Sequence, residues 1–88
     1  MSKLSLKEMI VSSLKDNYPL ALAENELASY IRLKYNKYFS GSTISRKCRE
    51  LAGELRITGT LRKDKNYKEW FLTSVEIASM QAKAMGIY

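Results

Sequence analysis

Two guanidinium groups stand three residues apart in the run Ser45-Arg46-Lys47-Cys48-Arg49-Glu50-Leu51. Arginine donates in a fixed fork, which matches carboxylates, phosphates and the O6/N7 edge of guanine. Ser42, Thr43 and Ser45 supply short hydroxyl donors around the pair, and Lys47 adds a flanking ammonium. Donors of that kind suit phosphate oxygens, which fix position rather than sequence. A second basic cluster follows, with Arg62, Lys63, Lys65 and Lys68 grouped around Asn66. Both clusters fall between Tyr30 and Lys68, where eleven basic residues face three acidic ones, a net of +8. The whole chain is only +6, so the remainder carries −2. A basic middle between nearly neutral ends implies a localised anion-binding surface and a polyanionic partner.

Other chemistries lack their residues. With no histidine and a single cysteine, Cys48, the 88-residue chain can build neither a disulfide framework nor a Cys/His zinc site. Ser-His-Asp and Cys-His triads are excluded on the same count. Gly41, Gly53 and Gly59 have no phosphate-loop spacing, and Glu24/Glu26 and Glu50/Glu54 sit in helical segments without a cleft motif. No enzyme activity, metal, cofactor or small-molecule ligand is expected. No apolar run approaches the roughly 20 residues of a membrane span. The opening MSKLSLKEM lacks the apolar core of a signal peptide. A cytoplasmic location is expected, at the nucleoid if the source is prokaryotic or viral.

The elements that must hold these groups can be read from periodicity. Hydrophobic residues at 45% and charged residues at 27% fit one globular domain. Ser5 and Glu8 have capping-box spacing, and Leu6, Met9, Ile10 and Leu14 follow at helical intervals, predicting a first helix over 6–17. Pro19 ends it, and Leu20-Ala21-Leu22 forms an apolar bridge, a brief strand at most. Glu24 and Glu26 open a second helix whose apolar face is Leu27, Ala28, Tyr30, Ile31 and Tyr35, fraying over 36–38. Gly41 breaks the chain, and Ser42 is the expected N-cap of a third helix. Ile44, Cys48, Leu51 and Leu55 recur on one face of that helix, which sets Arg46 almost opposite them. Cys48 is therefore expected to pack as a small hydrophobe.

After Leu55 the period changes. Residues 56–62 alternate and are rich in β-branched side chains, 63–66 form a polar turn, and 67–73 alternate again with Trp70 and Leu72 on one face. This is a hairpin with a basic tip. Tyr35 and Phe39 are expected to close the core, leaving Tyr38 open. A short fourth helix follows, with Val75, Ala78, Ala82 and Met85 as an apolar stripe and Gly86 as its stop.

Helix, helix, helix and basic hairpin resembles a winged helix-turn-helix domain. Glu26-Leu27-Ala28 resembles the start of the second helix in such domains. Ser45-Arg46-Lys47-Cys48-Arg49-Glu50-Leu51 resembles their recognition helices, and Glu69-Trp70-Phe71-Leu72 their second wing strand. The resemblance covers residues 4–73, closest in flavour to small phage, plasmid or prokaryotic regulators. It implies an α+β fold, with the winged domain over 1–73 and a C-terminal helical extension over 74–88. It also implies a double-stranded DNA-binding transcriptional regulator. The recognition-helix contacts would be Ser42, Thr43, Ser45, Arg46, Lys47 and Arg49, and the wing contacts Arg62, Lys63, Lys65, Asn66 and Lys68. The stripe of the C-terminal helix is expected either to pack back onto the first helix or to meet a second copy in a homodimer. The alternatives are a winged helix used for protein–protein contact in replication or assembly, and a single-strand or RNA binder using Tyr35 and Tyr38. One departure stands out. The segment 36–41 exceeds the usual three- or four-residue turn, so either the second helix extends through Tyr38 or a loop is inserted.

Overall fold

The computed structural model describes residues 4–61, 68–84 and 86, with backbone only at 83 and 84. Its elements run α1 (Leu6–Asp16), β1 (Leu22–Ala23), α2 (Glu24–Tyr35), α3 (Gly41–Gly53), β2 (Ile57–Leu61), β3 (Lys68–Leu72) and α4 (Ser74–Ala84). The three strands form one antiparallel sheet in the order β1-β3-β2. The fold is α+β, in the order that the resemblance implies.

α1, α2 and α3 each start where a side chain bonds a backbone N–H of the first turn or its cap. Ser5 Oγ accepts from the Glu8 N–H at 3.2 Å. At α2 the half-box is reversed, with Glu26 Oε1 accepting from the Ala23 N–H at 2.8 Å. The cap of α3 is Ser40, not Ser42: Ser40 Oγ accepts from the Thr43 N–H at 3.3 Å. Starting there places Phe39 and Ile44 at the two positions of a hydrophobic staple, and both join the core. A cap at Ser42 would forgo that packing.

The core is filled from every layer. Met9, Ile10 and Leu14 of α1, Leu27 and Ile31 of α2, and Ile44, Cys48 and Leu51 of α3 meet Leu22, Ile57, Trp70 and Leu72 of the sheet. Tyr35 and Phe39 pack on its edge, as expected. Trp70, opposite Gly59 in the β2–β3 register, lays its ring across that residue. A Cβ built on Gly59 would stand 2.8 Å from Trp70 Cζ3. Burial pushes the Cys48 thiol up to about 12, with Glu24 adding to the effect. That thiol is inert packing.

Leu55 does not continue the α3 apolar face. It is 75% exposed and has φ 62. The Arg56 N–H donates to Leu51 O at 3.0 Å and the Leu55 N–H to Ala52 O at 3.1 Å, the paired bonds of a Schellman stop. Periodicity could not see this, because the chain reverses hand at the next apolar position itself, Leu55. Glycine usually occupies that left-handed site, where other residues are strained by about 1–2 kcal/mol. Leu55→Gly is therefore expected to stabilise the fold by about 0.5–1 kcal/mol, after the larger chain entropy of glycine is subtracted. Thermal melting checks it, and a lower melting temperature would contradict it.

α4 is rotated from the expected phase. Ile77 and Met80 pack against the core, while Val75 and Ala78 face outward. Ion pairs accompany that rotation. Glu76, on the inward side, accepts from Arg56 Nε at 3.2 Å and lies 3.3 Å from Lys15 Nζ. Arg56 also donates to Glu8 at 2.7 Å, which holds the Glu8 carboxyl below the usual range. With apolar residues on nearly every side of this helix, sequence spacing alone could not choose between the two faces. Met85 and Tyr88 lie outside the described residues.

Candidate nucleic-acid interface

α3 presents two unlike faces. Ile44, Cys48 and Leu51 are buried, whereas Ser42, Arg46 and Arg49 are exposed along the opposite side. At about 1.5 Å per residue, Ser42 to Arg49 spans about 10 Å of helix axis, the rise of about three base pairs. Thr43, Ser45 and Lys47 are half-buried flanks. Ser42 and Thr43 turn their hydroxyls toward the cap, at 3.2 and 2.9 Å from Ser40 Oγ.

The carboxylates beside the arginines are already satisfied. Lys7 of α1 bonds Glu54 and lies 3.3 Å from Glu50, while Lys47 reaches Glu50 at 3.4 Å. Donating to Glu54 raises the Lys7 pKa, and accepting from Lys7 lowers that of Glu50. Arg46 and Arg49 consequently make no ion pair among the described residues. Glu50 and Glu54 are the acidic residues nearest Arg46 and Arg49 in the sequence. Lys7 pairs with them from more than forty residues away, which no local spacing could reveal.

Two other basic residues of the middle stretch are committed to the fold. Lys34 bonds Asp16, whose carboxyl also accepts from Tyr30 Oη at 2.9 Å. Burial opposes ionisation of Asp16, but the Lys34 and Tyr30 hydrogen bonds outweigh it and lower its pKa. Arg56 is held by Glu8 and Glu76. Arg32 and Lys37, by contrast, are exposed and unpaired among the described residues. Net charge in the sequence thus overstated the free cations and spread them too widely.

α2 ends at Tyr35, and Asn36 takes φ 56 as its left-handed cap. The 36–40 segment is therefore an inserted loop and not an extension of α2. In the hairpin, Lys68 is exposed, with Nζ 5.7 Å from the centroid of the Trp70 ring. Arg62, Lys63, Lys65 and Asn66 lie outside the described residues. Among the described residues no group of three His, Cys, Asp or Glu side chains could hold a metal ion, and no helix is long and apolar enough to cross a membrane.

No family model and no curated relative matches the sequence. Solved structures do match the fold. A Staphylococcus aureus MepR–DNA complex is similar at TM-score 0.72 and 18% identity, over 93% of this chain and 62% of that one. The Bacillus subtilis PadR in complex with operator DNA gives TM-score 0.63 and 22% identity, over 91% and 46%. The Francisella tularensis ferric uptake regulator with iron gives 0.67 and 14%, over 84% and 55%. The chain thus spans about half to three fifths of the proteins it resembles. Its fold is that of a winged helix-turn-helix domain.

Proposed function

We propose that this chain is a double-stranded DNA-binding protein acting as a transcriptional regulator, with α3 reading the major groove and the β2–β3 hairpin contacting the backbone. The observation that carries the reading is the pair of exposed, unpaired guanidinium groups of Arg46 and Arg49, opposite the buried face of α3. A groove about 12 Å wide admits one helix, and arginine can donate bidentately to guanine there. Ser42, Thr43, Ser45 and Lys47 position the helix on phosphates. The similar folds of MepR and PadR, each solved with DNA, support the assignment.

In this reading Arg62, Lys63, Lys65, Asn66 and Lys68 make up the wing contact. Each phosphate neutralised displaces condensed counterions, with a slope near −0.9 in log affinity against log salt. Replacing Lys63, Lys65 and Lys68 together with alanine is expected to flatten the salt dependence by about two to three such contacts. Preference among duplex sequences should survive. Titration of labelled duplex over a range of salt concentrations measures both, and an unchanged slope would place the hairpin tip in solvent.

The second partner in this proposal is another copy of the chain, met through the outward side of α4. Val75 is 72% exposed there, beside Ala78 and Ser79. One face of an 11-residue helix is far smaller than the roughly 800 Å² per partner of a stable interface. Pairing is therefore expected on adjacent half-sites, where the DNA raises the effective concentration, and not free in solution. Val75→Glu should leave binding to a single half-site unchanged and abolish cooperativity on paired ones. Equal cooperativity in both proteins, measured by mobility shift, would remove α4 from the interface.

A further inference from the structure

The loop between α2 and α3 holds an aromatic residue that the groove-reading account does not use. Tyr38 is 79% exposed, although Tyr35 and Phe39 on either side of it pack against the core. The loop is fixed at both ends, by Asn36 in its left-handed cap and by Ser40 on the first turn of α3. Between these anchors only Lys37 and Tyr38 are left fully facing solvent, and neither has a partner among the described residues. Tyr38 precedes Ser42 by four residues, so their Cα atoms are at most about 15 Å apart. That reach is comparable with the width of the groove α3 would occupy.

We propose that Tyr38 is a DNA-contacting residue whose ring packs on the deoxyribose at the groove edge, with Lys37 on the adjoining phosphate. The inference rests on the duplex-binding reading above and extends it to a contact outside α3. An exposed tyrosine offers a rigid apolar face at low entropic cost, which favours it at interfaces. A single-strand platform needs several aromatic faces for successive bases. Here Tyr35 and Phe39, the other two aromatics of the segment, are committed to the core. A lone ring beside free cations fits one sugar on a duplex better than a run of bases.

The test titrates the full chain, and its Tyr38→Ala, Tyr38→Phe and Lys37→Ala variants, against a fluorescein-labelled mixed-sequence duplex and its separated strand. Tyr38→Ala is expected to weaken duplex binding about fivefold, from the apolar area no longer buried, with the salt slope unchanged. Tyr38→Phe should bind within about twofold of the parent, since the ring is retained. Lys37→Ala should lower the salt slope by about 0.9. Tyr38→Ala binding like the parent would overturn the inference while leaving the duplex reading intact. Equal losses in the alanine and phenylalanine variants would assign the contact to the hydroxyl, and a greater loss on single strand would make Tyr38 a stacking platform. Either result overturns the packing proposed. Failure of the parent to bind duplex at all would remove the duplex reading itself.

Discussion

Arg46→Ala is expected to weaken binding to the preferred duplex by about 1–3 kcal/mol, a loss of roughly 5- to 150-fold, while leaving thermal stability nearly unchanged. The side chain is exposed and unpaired among the described residues, so its removal strips no contact from the fold. The effect should be confined to sites carrying the guanine that Arg46 reads, and Arg49→Ala should act the same way at a neighbouring base. Quantitative mobility shifts on single-base variants of the site measure this. An equal loss on every sequence would make Arg46 a phosphate contact, and no loss would contradict the role of α3.

Gly59→Ala should destabilise the protein by about 1–3 kcal/mol, the usual cost of forcing one extra carbon into a filled core. The new Cβ would stand 2.8 Å from Trp70 Cζ3, closer than such contacts tolerate. Trp70 cannot retreat easily. Its ring is buried among α1, α2 and the sheet, and Leu22 of β1 pairs with it on the far side. Relief must come from β2 moving away from β3, which opens the root of the hairpin. Trp70 is the one tryptophan in the chain, so its fluorescence reports the change alongside the melting temperature. A variant as stable as the parent, with an unshifted emission spectrum, would show that the ring does not lie against Gly59.

The elements were legible where burial imposes a period. Ile44, Cys48 and Leu51 announce α3, and the switch to alternation after Leu55 announces the hairpin, because one face of each must meet the core. The outward position of Arg46 follows from that same period. The rest depended on contacts distant in sequence or on backbone geometry. Lys7 holds Glu50 and Glu54 beside the arginines, and Arg56 pairs with Glu76 on the inward side of α4. Neither pairing has a local spacing to reveal it. Ser40 and Ser42 are equally good caps as residue types, and the choice fell to the staple positions of Phe39 and Ile44. Gly59 looked featureless in the sequence because its role is to leave room for a ring on the neighbouring strand.

In the function proposed, α3 and the hairpin form a surface for double-stranded DNA. Its most direct test is competition of the full chain among a mixed-sequence duplex, the corresponding single strand and an RNA of the same sequence, followed over increasing salt. Duplex is expected to bind most tightly, with log affinity falling linearly with log salt at the slope of several phosphate contacts. Equal or tighter binding of the single strand or the RNA, or no salt-dependent binding of any of the three, would contradict it.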